Sequence, residues 1–360
     1  MQDLLAVIKA VLNNEDKKFN ITPSLLNDAK ENGMISFLSL VMDENTSLKL
    51  QKFLLDNYAN EMKRNNAQKE ALVKIKELFT SNNISFMCVK GFTLKSLYPE
   101  EELSYMSDID IYVGDKYLAK AVSLLQKEGY KIIQRTDHDV ELAIENFVTI
   151  ELHHRLIYKK EFAQDVIDKA LKNVYFKEGS KEFFFKKKED EYLYIFLHLL
   201  THYEYGGIGI KNFVDLYLYL NKYKDQLDFS YIHNAYKHTS YEKDCILIEE
   251  LCLDLFNDKY SDLIDKIIED GAYGKLSSKQ KKELEQIGGS KFKWLMKKAF
   301  PSYARMKEIY LVLRKKGGFI LLPLCYVHRV FYYTFVVRNK TKEKIDSVNK
   351  IDNSSDKDKV

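Results

Sequence analysis

Proline is nearly missing, with four in 360 residues, and glycine is sparse at 14. A turn-rich all-β sandwich or barrel is thereby excluded, and a mainly helical chain is expected. Cysteine is scarce too. Cys88, Cys245, Cys252 and Cys325 are scattered, with no CxxC pair and no zinc-type His/Cys spacing. This excludes a disulfide framework and a Cys-ligated metal centre, and it fits buried thiols in a reducing compartment. There is no surplus of one charge: 56 basic and 53 acidic residues leave a net +3. That is too close to neutral for a DNA-tracking protein or one held on an acidic membrane, so no DNA partner is expected. No long apolar run is free of charge. Residues 318–337 come nearest but carry His328 and Arg329 midway. They are read as an amphipathic core helix, with the rings of residues 331–335 as core, and no transmembrane segment is expected. The first residues, MQDLLAVIKAVLNNEDKK, hold early acids and no cleavage pattern. A cytoplasmic location is expected.

What is present is ordinary for a globular protein: 46% hydrophobic and 30% charged residues. The length allows two or three domains. Residues 1–83 read as a helical segment. Leu4, Leu5, Ile8, Val11 and Leu12 keep helical spacing, and Thr22-Pro23 offers a cap and first turn. Over 47–79 the expected apolar stripe is Leu50, Phe53, Leu54, Tyr58, Met62, Leu72, Ile75 and Leu78. Residues 84–185 read as an α/β core. They give strands at 84–89, 108–113 and 130–134, a hairpin of 140–144 with 147–152, and one more strand at 183–185. Helices fill 92–98 and 115–129. Residues 186–338 form a C-terminal helical domain, and 339–360 a disordered tail. The fold class is therefore α+β: a small mixed sheet flanked by N-terminal helices and a C-terminal helical domain.

The chain is organised around ISFMCVKGFTLKSLYPEEELSYMSDIDIYV, residues 84–113. It reads as strand, glycine turn, short helix, loop and strand. Asp108 and Asp110 are two apart on the second strand, so they share a face, with Ile109 and Ile111 on the other. Two close carboxylates repel, and a divalent cation is the usual remedy. Glu151, in TIELHH, supplies a third acid from a neighbouring strand. Three such acids suit phosphoryl or nucleotidyl transfer, with Asp108 and Asp110 holding Mg²⁺ and Glu151 a ligand or base. Gly91 leads into a helix, so the N–H groups of Phe92 and Thr93 are expected to face a phosphate. Lys90 and Lys95 are the nearest cations, and Thr93 adds a hydroxyl. His153 shares a face with Glu151, and His154 points the other way. His198 and His202, four apart on a helix, face the cleft rather than binding zinc. Asp215 sits polar among Phe213, Val214 and Leu216 and is expected to face the cleft or cap a neighbour.

These motifs, VKGFTLKSLYP, MSDIDIYV and IELHHRL, resemble the bacterial uncharacterised nucleotidyltransferase family of the DNA polymerase β-type superfamily. HLLTHYEYGGIGIKNFVDLYLYL is similar to that family's helical segment, with His198, His202 and Asp215 in place. The resemblance covers roughly residues 30–340. It implies transfer of a nucleoside monophosphate from an NTP, with Mg²⁺ or Mn²⁺ held by Asp108, Asp110 and Glu151. It also implies that Lys90-Gly91 replaces the superfamily's Gly-Ser phosphate turn. One departure stands out: relatives often carry arginine four residues before the first aspartate, where this chain has Ser104, behind Glu100, Glu101 and Glu102. An acidic loop there would weaken nucleotide binding unless it points away or another lysine substitutes.

Near-neutral charge favours a small-molecule acceptor, such as a sugar or peptide of a biosynthetic cluster, over RNA. Three other readings compete. A degenerate nucleotide-binding or scaffold protein would show no turnover. A toxin-like enzyme would modify tRNA or a protein. A membrane-surface protein would bind through residues 318–338.

Overall fold

The structure is a computed structural model. It describes residues 2–136, 138–144, 148–157, 161–204, 208–256, 258–271, 290–301, 303, 306, 310, 313 and 317–331. The readings placed on 205–207, 272–289 and 332–360 lie outside the described residues. The chain divides into two compact units, the larger spanning 1–204 and 208–273.

The larger unit opens with α1 (Gln2–Leu12), α2 (Pro23–Glu31), α3 (Ile35–Val41) and α4 (Leu48–Ser81). Thr22 caps α2 by accepting from the Leu25 N–H at 3.2 Å, and Pro23 fills its first turn. In α4 the expected apolar stripe holds in part: Leu54, Leu72 and Ile75 are buried. Phe53 and Met62 are exposed, while Glu61, Asn65 and Gln68 are buried. A buried polar strip on a helix must have polar partners. Asn65 Nδ2 donates to Glu101 and Glu102, and Gln68 Nε2 to the Met106 carbonyl at 3.1 Å. The middle of α4 therefore holds the 100–106 loop rather than an apolar core.

β1 (Met87–Cys88), α5 (Gly91–Lys95), β2 (Ile109–Tyr112), α6 (Gly114–Lys127), β3 (Lys131–Arg135), β4 (Asp139–Ile144) and β5 (Val148–His153) follow. The first strand is shorter than expected, although Ile84, Phe86 and Val89 around it are buried. The sheet runs β1-β2-β5-β4-β3 and is mixed: β2 pairs β5 in parallel, and the other pairs are antiparallel. One face packs Ile109, Ile111, Ile150 and Leu152 against Leu72, Ile75 and Phe79 of α4 and Val122 and Leu125 of α6. The alternation of a strand then sends Asp110, Glu151 and His153 to the opposite face.

α7 (Glu161–Ala170) leads to a second, two-stranded sheet of β6 (Val174–Phe176) and β7 (Phe183–Phe185). α8 (Lys188–Glu204), α9 (Ile210–Tyr223), α10 (Phe229–Tyr236), α11 (Glu242–Leu253) and α12 (Ser261–Asp270) complete the unit. Asn32, fully buried, ties its ends together: Oδ1 accepts from the Ile210 N–H at 2.9 Å, and Nδ2 donates to the Ile268 carbonyl at 2.8 Å. Helices and a mixed sheet in one unit make the fold α+β.

In the second unit, α13 (Lys291–Ala299) is capped by Ser290, and α14 (Leu322–Phe331) follows a short 3₁₀ turn at Gly318–Leu321. The core-helix reading is corrected here. Phe319, Ile320, Leu324, Val327 and Phe331 are all exposed, and only Cys325 of α14 is buried. Among the described residues no helix is long and apolar enough to cross a membrane.

Candidate active site

The parallel register of β2 and β5 sets Asp110 opposite Glu151 and Tyr112 opposite His153. One ligand atom each from Asp110, Glu151 and His153 lies within 4.8 Å of the others. His153 Nε2 is 2.7 Å from Asp110 Oδ1 and 3.4 Å from Glu151 Oε2. Asp108, just before β2, accepts from Ser107 Oγ at 3.0 Å and lies in the field of Asp110 and beside Glu151. The structure thus brings the three acids and His153 to one place.

Lys90 enters from the turn between β1 and α5. Its backbone is held at φ 53°, ψ −118°, a conformation that L side chains rarely adopt. The ammonium reaches Asp110 Oδ1 at 2.8 Å, the same oxygen that His153 contacts. Gly91 is required beside it: a Cβ there would lie 2.2 Å from Met106 Sδ. Any side chain at this position would force Met106 to move.

The expectation of a phosphate cradle is corrected at Thr93. The Thr93 N–H donates to the Lys90 carbonyl at 3.0 Å, and Thr93 Oγ1 donates to the same oxygen at 2.6 Å. Both donors are spent within the turn, and Phe92 packs against the α4–sheet core. Lys95 turns away from the acids. It is buried, its Nζ donates to Asn65 Oδ1 at 2.8 Å, and burial lowers it to about 8. The glutamates of the preceding loop are likewise turned onto α4. Glu100 accepts from the Tyr58 hydroxyl, and Glu101 pairs with Lys69 at 2.7 Å. Ser104 is buried beside the Tyr98 hydroxyl.

A cavity of about 420 Å³ opens beside Asp108, Asp110, Lys90 and Gly91. His198 of α8 and Asp215 of α9 line it as well. His198 Nε2 is 3.1 Å from His202 Nε2, so at least one of these nitrogens lacks a proton. Burial, reinforced by Lys90, drives His198 far below the usual histidine range. Asp215 accepts from the Tyr98 hydroxyl at 2.5 Å and from Lys211 Nζ at 2.9 Å. Sequence reasoning missed four contributors: Tyr98, Lys211, Asn57 and Tyr194. The Tyr194 hydroxyl is fully buried without a partner, in the field of Lys90, Asp110 and Glu151. Its helical spacing to His198 was the available signal.

The electrostatics describe a site short of positive charge. Burial raises Asp108, and Asp110 beside it adds to the rise. Burial and the two aspartates push Glu151 up to about 9. Asp110 goes the other way: burial opposes ionisation, but Lys90 and His153 outweigh it and hold the carboxyl below its usual range. Convergent carboxylate oxygens, two of them reluctant to ionise together, fit a hard divalent cation.

The fold thus sets acids and a histidine together on one face of a small mixed sheet, and one group of them, Asp110, Glu151 and His153, could hold a metal ion. Residues 23–257 match the model of a family described as uncharacterised nucleotidyltransferase, and the chain belongs to that family. It is a nucleotidyltransferase, which implies an NTP substrate. No curated protein and no solved structure matches the chain.

Proposed function

We propose that the protein is a Mg²⁺-dependent, cytoplasmic enzyme that moves a nucleoside monophosphate from an NTP to a hydroxyl of a small acceptor, such as a sugar or peptide. The observation that carries this reading is the pairing of Asp110 with Glu151 across a parallel ladder, with Asp108 turned in beside them at the edge of a cavity.

Asp108, Asp110 and Glu151 would hold the ion, and Mn²⁺ could replace Mg²⁺ at these oxygens. The bound ion supplies charge neutralisation at the phosphates and lowers the pKa of a bound hydroxyl. The protein's own part is positional. Lys90 and His153 fix the Asp110 carboxylate through one of its oxygens, which would orient it toward a bound cation. The acceptor oxygen bonds to the α-phosphorus as the bond to pyrophosphate breaks, and the hydroxyl proton passes to the Glu151 carboxylate. His198, held neutral, offers the cavity an uncharged hydrogen-bonding edge for the acceptor or base.

The experiment is calorimetry with Mg²⁺ and each of the four NTPs, followed by transfer from the one that binds. Asp108→Asn should abolish transfer with the fold retained; retained turnover would rule out the metal role. A second reading, a nucleotide-binding protein without turnover, draws support from Lys90 standing on Asp110. Tight NTP binding with no product from any acceptor pool would favour it. Growth arrest on expression, relieved by Asp110→Ala, would instead point to a tRNA or protein acceptor.

A further inference from the structure

The cavity beside the acids has a second charged end, on α9. Lys211 Nζ is 2.9 Å from Asp215 Oδ2, four residues on along the helix, and Asp215 Oδ1 takes the Tyr98 hydroxyl. Asp215 and Tyr98 are buried, and the Lys211 side chain is largely so. The lysine stem lies over Gly33, where a Cβ would sit 3.9 Å from Lys211 Cδ. Lys211 is therefore a lysine whose direction is set, unlike a flexible surface cation. An ammonium has three donors and Asp215 takes one, so the head can still grip an anion.

The other cations near the acids are differently committed. Lys90 is ion-paired like Lys211, but to Asp110, one of the acids assigned to the metal, and Lys95 is on Asn65 outside the cavity lining. Lys30 reaches the same cavity but is exposed. A triphosphate tail carries more negative charge than the acid-held ions alone offset, and fixed cations are how proteins hold it. At the Gly91 turn the Thr93 donors are spent.

We propose that Lys211, oriented by Asp215 and Tyr98, is the cation that holds the β,γ-phosphates of the NTP. Asp215 and Tyr98 are then positioning residues. The buried Ser104 stands beside this same Tyr98 hydroxyl. The proposal rests on the nucleotidyl-transfer reading above and adds to it which residue reads the length of the phosphate chain.

The test compares Mg²⁺-bound α,β-methylene NTPs with the matching NMPs, by calorimetry on the full chain. The wild type should bind at least one triphosphate analogue. Lys211→Gln should weaken that analogue on the order of tenfold, about 1.4 kcal/mol, and leave the NMP within about twofold. Lys211→Arg should restore most of the loss, and Asp215→Asn should reproduce part of it. Melting curves identify any variant that does not fold, and the Arg variant then carries the comparison. Equal loss of NTP and NMP, or unchanged triphosphate binding in folded Lys211→Gln, overturns the assignment while leaving the transferase reading intact. A wild type that binds no triphosphate analogue overturns both.

Discussion

Lys90 and His153 converge on one oxygen: Asp110 Oδ1 lies 2.8 Å from the ammonium and 2.7 Å from the imidazole. The ammonium stands where positive charge is most needed, and the protein therefore carries a built-in cation against the most buried acid of the site. Replacing Lys90 by Met leaves that carboxylate uncompensated, a change that costs about 3 kcal/mol or more for buried pairs. Metal-free Lys90→Met should melt well below wild type, and saturating Mg²⁺ should recover much of the loss. A metal-insensitive melting temperature would contradict this.

Asp108 behaves differently, since burial and its neighbour Asp110 already disfavour its charge. Asp108→Asn removes a repelling charge at nearly constant shape. Its metal-free melting temperature should equal or exceed that of wild type, while transfer is lost. Thermal melts beside a labelled-NTP assay separate the two effects.

Glu151 sets a pH dependence. Its folded-state value, up to about 9, lies above the ordinary value of 4.5. Between those limits the folded state holds more protons than the unfolded chain, so metal-free stability falls as pH rises through the window. A divalent ion needs the carboxylate, so binding should release a proton and tighten as pH climbs towards 9. Glu151→Gln should flatten the stability trend. Proton release is read by calorimetry in buffers of different ionisation enthalpy.

At Gly91, even one methyl group collides with Met106. Gly91→Ala should cost about 1–3 kcal/mol, the usual penalty for overpacking. Met106→Ala should relieve part of it, so the double variant should be less destabilised than the sum of the singles. Additive losses in denaturant titrations would refute the contact.

Lys95 and Lys90 were equivalent in sequence and are not in structure. Lys95→Met should leave NTP affinity within about twofold, because its ammonium faces Asn65. Lys90→Met should not. Side-by-side calorimetry distinguishes them.

How far the sequence carried depended on whether local periodicity decided the matter. The D-x-D strand was legible because alternation fixes which face each residue takes, and the same rule put His153 beside Glu151. The polar Asp215 among apolar neighbours was visible as a misfit on its helix. The five-strand order, by contrast, depends on β5 inserting between β2 and β4, which no local pattern states. β6 went unread because three residues after a helix carry little alternation. In α4, helical spacing gave part of the stripe, Leu54, Leu72 and Ile75, but not its buried polar residues: Asn65 and Gln68 are explained by a loop far along the chain, not by their own neighbours. Lys95 was misjudged because which way a five-residue helix presents its last side chain is set by what packs on it.

The ladder joining residues 109–112 to 150–153 crosses some forty residues of intervening chain. An ion arriving early would find no cage, only two aspartates on a lone segment. A metal bound there would thus act as a late selector of molecules whose sheet has already closed, not as a seed for folding. Supplying magnesium during refolding should leave the rate unchanged and slow only the reverse reaction.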